Sequence, residues 1–450
     1  MSRRGVESLL RSRWLLAGGS IRISAEVLLA IASIGLGVAT PVGAQTLTKL
    51  PLLQVYRSDE IWVQWESDSN PPASEHVVEW GLASTAENTT ASSETIAISA
   101  GRFLHRAVLA GLSPGASIQY RVRSGSDTSA TFTTETAGAA GFRMAWLSDN
   151  QNQAGTSFEG VLDQVVPYDV DFIGHAGDTV QNGPVVQEWH DDWYTPLTNA
   201  SSIGQKVPVL VARGNHDGET ATAYAYHWLP GNGAYHATTI GPMRLIVLNS
   251  QLYGGTQLNW LTAELASPAS QDADFRVVVF HRPPYTNLWC DTSGYNGENA
   301  VRVFWVPLFE QYSVDLVVSG HAHAYERGEQ NGVMYTIVGG AGGALDTMTP
   351  PVTWDLIDVA LSTHHYVIMD VDAGMLQWRA YDLNDVLIDE FTLGVAPVPS
   401  GSRSWRLTLA GLIVALGVRR LYGARRSSRA RGLDGTSSKD PVFPPLGHPG

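Results

Sequence analysis

Between residues 50 and 136, apolar and polar positions alternate in short segments, "EIWVQWE", "HVVEWG", "HRAVLAGL" and "IQYRVRSG", divided by clusters of Pro, Gly, Ser and Asn. A period of two puts successive side chains on opposite faces, so these segments predict half-buried strands of a β-sandwich. No helix-period stretch interrupts them. After "TAGAAG" at 136–141, which reads as a linker, the pattern changes and apolar runs end in polar residues. "FRMAWLSDNQ", "VDFIGHAGD", "VPVLVARGNHD", "MRLIVLNS", "FRVVVFHRPPY" and "VDLVVSGHAH" each predict a buried strand that delivers polar groups at its C-terminal end. Stretches such as "EGVLDQVVP" and "NAVRVFWVPLFEQY" are long enough for crossover helices. The pattern is α/β, with functional loops gathered on one edge of the sheet. From Val333 to Leu393 the segments turn strand-rich again, which predicts a second sheet packed on the first.

At 450 residues the chain has room for two or more domains with full cores. The net charge of -14 is unevenly spread: residues 1–44 and 401–450 carry 5 and 9 of the 29 Lys and Arg but only 4 of the 43 acids. The segment between holds 15 basic against 39 acidic residues. That balance excludes a nucleic-acid scaffold held by phosphate contacts and makes a bound metal the natural source of positive charge for any anion site. Cys290 is the only cysteine, so a disulfide framework is excluded.

The ends carry signals of their own. Arginines at 3, 4, 11, 13 and 22, an apolar run from Val27 to Ala39 and small residues at Val42-Gly43-Ala44 predict a signal peptide over 1–44 and an exported protein, periplasmic, cell-surface or extracellular. Past the α/β span of 141–393, residues 394–450 contain "PVPSG", an apolar run from Leu407 to Val418 and the arginine-rich "RRLYGARRSSRARG". That order resembles bacterial C-terminal surface-sorting signals of the Pro-Glu-Pro type, with "PVPSG" in place of the usual motif. It implies a transient contact with membrane or sorting machinery.

The strand-end residues are Asp149, Asp178, Asn215, His216, His281, His321 and His323. Carboxylates, an amide oxygen and imidazoles are ligands of hard and borderline metals, not of thiophilic ones. One acid after one strand would mean little, but several such residues on one sheet edge are not explained by solvated loop polarity. His321 and His323 share a face only if the chain between them is extended.

The sandwich resembles a fibronectin type III domain, with "LAGLSPGASIQYRV" like its corner, although Ile118 stands where a corner tyrosine is common and Tyr120 is two residues on. "SD" at 148, "GD" at 177, "GNHD" at 214, "FH" at 280 and "GHAH" at 320 are similar, in order and spacing, to the five blocks of the calcineurin-like metallophosphoesterases. "GHAHAYER" after such a sandwich resembles the purple acid phosphatases. The resemblance covers residues 50 to about 393 and implies a four-layer α/β/β/α catalytic domain with two divalent or mixed-valence ions, Fe, Zn or Mn. On it, Asp178 bridges the ions, Asn215, His281 and His321 complete one site, and Asp149 and His323 hold the other. His216 contacts phosphate or protonates the leaving oxygen, with Asp217 to orient it. Arg282 is either a phosphate contact or a structural ion-pair partner, and Glu326 and Arg327 support the histidine loop.

Two positions depart from the pattern. Purple enzymes have a tyrosine three residues after the bridging aspartate, where this chain has Gln181, so the tyrosinate-to-iron colour is expected to be absent. Many relatives have a histidine two residues after the first aspartate, where this chain has Gln151, a weaker neutral ligand. The implied function is hydrolysis of small phosphate monoesters by a metal-bound hydroxide. A phosphodiesterase or nucleotide hydrolase on the same centre is the alternative, and a surface binding protein with a vestigial metal site is the alternative of another class.

Overall fold

The computed structural model of the chain describes residues 47–394, apart from 58, 69–72, 137, 139, 200, 201, 291 and 292. The expected signal peptide, and the C-terminal segment from residue 395, lie outside the described residues.

The N-terminal region is a β-rich unit of two antiparallel sheets. Leu47–Arg57, Glu60–Ser67, Arg102–Ala110 and Glu94–Ser99 form one, in that spatial order. His76–Gly81 and Ser117–Ser124 centre the other. Alternation carries the predicted consequence: Ile61, Val63, Trp65, Ile118, Tyr120 and Val122 face a common core.

In the C-terminal region, β1 (Gly141–Leu147), β2 (Phe172–His175) and β3 (Val209–Val211) are parallel neighbours in a six-stranded sheet. The second sheet has seven strands, with β4 (Met243–Val247), β5 (Phe275–Val279) and β6 (Leu316–Ser319) parallel in its middle. Alternate residues divide between layers. Met144 and Trp146 of β1 meet Val277 and Val279 of β5 between the sheets, whereas Ala145 and Leu147 face helix α1 (Phe158–Val165) outside. On the far side, Val278 and Phe280 pack against α2 (Gly255–Leu265), α3 (Asn299–Phe304) and α4 (Val306–Gln311). The result is the four-layer α/β/β/α arrangement. The predicted crossover over 299–312 breaks into α3 and α4 at Trp305 because Pro307 removes a backbone donor.

The two regions share one apolar cluster and a polar seam. Arg106, 5% exposed, donates to the carbonyls of Tyr224 (3.0 Å) and Ala225 (2.6 Å), to Gln64 and to Glu94. Glu66, fully buried, accepts from the hydroxyl of Tyr226 at 2.6 Å and lies 2.8 Å from His190 Nε2. Tyr120 donates its hydroxyl to Gln205 C=O at 2.7 Å, across this seam rather than back to its own strand pair as a corner tyrosine would.

Candidate metal centre

The C-terminal ends of the parallel strands converge on one edge. Asp149 follows β1, Asp178 follows β2, Asn215 follows β3, His281 follows β5, and His321 and His323 follow β6. Asp149, Asp178 and His321 hold left-handed φ values of 63°, 55° and 71°. Such backbone costs of order 1 kcal/mol or more per non-glycine residue, so the surroundings must fix it. They do so through the ligand residues themselves. The Asp149 carboxylate accepts from the His321 N–H at 2.9 Å, and Asp178 Oδ1 accepts from the His216 N–H at 2.7 Å. Gly214 and Gly320 are required by close approach, because a Cβ at either would collide with the carboxylate of Asp178 or Asp149.

One ligand atom from each of Asp178, His281 and His321 lies within 4.8 Å of the other two. His281 Nδ1–H donates to Ala176 C=O at 3.0 Å, which turns Nε2 toward the centre, 2.9 Å from Asp178 Oδ2 and 3.2 Å from His321 Nδ1. A backbone carbonyl that fixes the far nitrogen is how metal-binding histidines are commonly oriented. Asn215 Oδ1 is buried and has no hydrogen-bond partner. A buried neutral oxygen without a partner, after the strand that pairs with the one leading to Asp178, joins two imidazole nitrogens and a carboxylate in a donor set chemically suited to a divalent cation.

The electrostatics point the same way. Burial pushes the Asp149 carboxyl up to about 6, opposed by His281 and His323. Burial would also raise Asp178, but His281 and the His216 N–H hold it below the usual carboxylate range. For His281 burial favours the neutral ring, yet Asp178 and Asp149 outweigh it and push the imidazole up to about 9. His321 is pushed well down, first by burial and then by His281. Two buried carboxylates thus draw positive charge to this point.

A second group of donors stands beside the first. His323 Nδ1–H donates to Ala344 C=O at 2.7 Å, and its Nε2 is 3.5 Å from Asp149 Oδ1. Gln151 is 3% exposed. Its carboxamide satisfies its surroundings when the NH2 donates to the carbonyls of Asp178 (3.0 Å) and Asp149 (3.3 Å), and its oxygen then lies 3.1 Å from His323 Nε2. With Nδ1 as the donor, Nε2 of a neutral ring carries a lone pair. In that orientation the amide oxygen and the imidazole nitrogen can both turn a lone pair toward one ion.

His216 is partly exposed at the rim, and its Nδ1 lies 3.0 Å from both the Gln181 carbonyl oxygen and the Gln181 side-chain amide nitrogen. The expectation that Asp217 orients this ring is corrected by the structure, in which no hydrogen bond joins them. Asp217 is fully buried and accepts instead from the backbone N–H groups of Asp178, Thr179, Val180 and Gly214 and from the Thr179 hydroxyl. It shapes the Asp178 turn, while Gln181 orients His216. Glu326 likewise holds a different loop from the one expected, accepting from the Thr286 hydroxyl and from the N–H groups of Asn287 and Leu288. Sequence reasoning missed Trp289 and Tyr295, whose rings pack on His321 with centroids 4.9 and 5.3 Å away. No local pattern marks them, because a loop of low periodicity delivers them.

This fold and these strand-end donors define a metallophosphoesterase, and residues 142–325 match the calcineurin-like phosphoesterase family. Residues 50–136 match the purple acid phosphatase N-terminal domain, so the chain belongs to the purple acid phosphatase-like branch of that family. These families use a dinuclear metal centre, and the Asp178, His281 and His321 cluster lies within the matched span. An uncharacterized protein of Mycobacterium tuberculosis is 33% identical over 215 residues, covering 41% of this chain and 38% of its own. "Probable inactive purple acid phosphatase 24" of Arabidopsis thaliana is 25% identical over 273 residues, covering 50% of this chain and 42% of its own. The chain thus spans about two fifths of the length of these relatives. The solved structure of purple acid phosphatase PPD1 from yellow lupin shares the fold at a TM-score of 0.67 and 19% identity, over 79% of this chain and 77% of that one.

Proposed function

We propose that the chain is an exported phosphatase that hydrolyses small phosphate monoesters at a two-metal centre. The observation that carries this reading is the convergence of His281 Nε2, His321 Nδ1 and the Asp178 carboxylate, with the unpartnered Asn215 Oδ1 after the neighbouring strand β3. Asp178, Asn215, His281 and His321 would hold one ion, and Asp149, His323 and Gln151 the other, with Asp178 shared. Bound ions supply Lewis acidity toward phosphoryl oxygens and acidify water, in a segment otherwise rich in acids. The chain's own residues do the rest. Asp217 fixes the turn that aims Asp178. Gln181 holds His216 through Nδ1, which leaves Nε2 as the nitrogen that, when it carries a proton, gives it to the leaving oxygen.

Export rests on the arginine-flanked apolar run over 1–44, and contact with membrane or sorting machinery on the segment after 394. Among the described residues no helix is long and apolar enough to cross a membrane. The relative named inactive motivates the second reading, a binding protein with a vestigial centre. Chain purified with Mn, Zn or Fe and given 4-nitrophenyl phosphate separates the two. Turnover supports the phosphatase, and bound metal without turnover of monoester or diester supports the binding protein.

A further inference from the structure

The loop after His281 brings a cation and two aromatic rings to the rim of the centre. Arg282 directly follows a candidate ligand, and its charge acts on His321. Its side chain is 29% exposed, donates a long hydrogen bond, 3.4 Å, to Glu298 and also bonds the Tyr253 hydroxyl. The buried Nε has no partner. Tyr295 packs edge-on against His321, its buried hydroxyl also has no partner, and after burial the charges acting on it are Glu298 and then Arg282.

These donors are held rather than free to turn to water. Trp289 stacks on Tyr295 at 4.4 Å and pairs in both directions with the backbone of Met348, at 2.8 and 3.0 Å. Asn287 exchanges hydrogen bonds with the backbone of Trp354, and Glu326 grips residues 286–288. A purely structural ion pair would explain the Glu298 contact. It does not explain an anchored loop that leaves two buried donors unmatched, which is unfavourable for each.

A phosphate monoester near neutrality carries close to two negative charges and three non-bridging oxygens, whereas a diester carries one charge and two such oxygens. We propose that Arg282, with the Tyr295 hydroxyl beside it, binds the third non-bridging oxygen of a phosphate monoester and thereby makes this centre prefer monoesters to diesters. This inference rests on the phosphoesterase reading and names its substrate class. Arginine suits the task because its fork keeps donors for phosphate after one is used on Glu298.

The test uses the full metal-loaded chain as wild type, Arg282→Ala, Arg282→Lys and Tyr295→Phe, with metal content checked for each. Turnover of 4-nitrophenyl phosphate and of bis(4-nitrophenyl) phosphate is compared, and inorganic phosphate binding is measured by calorimetry. Arg282→Ala should lower monoester kcat/KM by about 10- to 100-fold, the value of a charge-assisted hydrogen bond, and weaken phosphate binding similarly. Diester turnover should stay nearly unchanged. Arg282→Lys should recover part of the loss, and Tyr295→Phe should cost about 3- to 10-fold on the monoester alone. If Arg282→Ala does not fold, the Lys and Phe variants carry the comparison. Equal losses on both esters at full metal content, or phosphate affinity unchanged in the variants, would overturn the proposal. Turnover of neither ester by wild type would count against the phosphoesterase reading, and phosphate calorimetry would then decide the role of Arg282.

Discussion

His216 is the side chain whose loss separates proton transfer from metal binding. Its ring is held by Gln181 and only its backbone N–H touches a candidate ligand, Asp178. His216→Ala should therefore lower turnover by ~10²–10⁴-fold, the range for a positioned acid or base, with metal content unchanged. The loss should shrink for a substrate with a good leaving group. Metal analysis of the variant checks this, because lost metal would make His216 a ligand. Gln151 belongs to the same scale. Its amide oxygen donates more weakly than an imidazole and brings no charge, so the Asp149 site should be the weaker of the two. Calorimetric titration of apo-protein should show two unequal steps that draw together in Gln151→His, and iron-loaded protein should lack a strong visible band because Gln181 replaces the tyrosine. Two equally tight wild-type sites, or such a band, would contradict the assignment. The strand-end residues were legible in the sequence because each apolar run ends at the same sheet edge. The role of Asp217 was not, since the four amides it binds come together only when the turns after β2 and β3 meet.

Among the elements, the loop after β5 is tied to the strand Tyr325–Gln330 through Glu326, a carboxylate 1% exposed. Burial pushes this acid from 4.5 up to about 7 against the pull of its three donors. The folded state therefore binds the proton more tightly than the unfolded state. The contribution of Glu326 to stability is fully present at acid pH and falls as pH rises from about 4.5 to about 7. Glu326→Gln, which resembles the protonated form at every pH, should gain on wild type across that window by on the order of 3 kcal/mol. Urea unfolding at pH 5 and pH 8 measures it, and a constant difference between the two proteins would show that Glu326 does not titrate there. The strands themselves followed from alternation. Residues 186–198 carry no such pattern, and their short helical turns are set by burial of Trp189, Trp193 and Tyr194 against the outer face of the first sheet and the N-terminal unit.

For the whole molecule, period-two alternation foretold a β-rich unit ahead of an α/β unit, and the four-layer order came from family resemblance. The seam between the units was invisible in sequence, because Arg106 and Glu66 read as outward-facing strand residues until the second unit covers them. Charge is the other property of this scale. With 15 basic and 39 acidic residues between 45 and 400, the chain has few cations of its own to offer a phosphate, so turnover should depend on bound metal rather than be modulated by it. The most direct test strips the protein of metal, confirms that it remains folded, and follows 4-nitrophenyl phosphate turnover while Mn, Zn or Fe is added back in measured equivalents. The expected result is no turnover in the stripped protein and full activity only as the second ion per chain binds. Undiminished turnover by the metal-free chain, or full activity with a single ion bound, would contradict the two-metal centre.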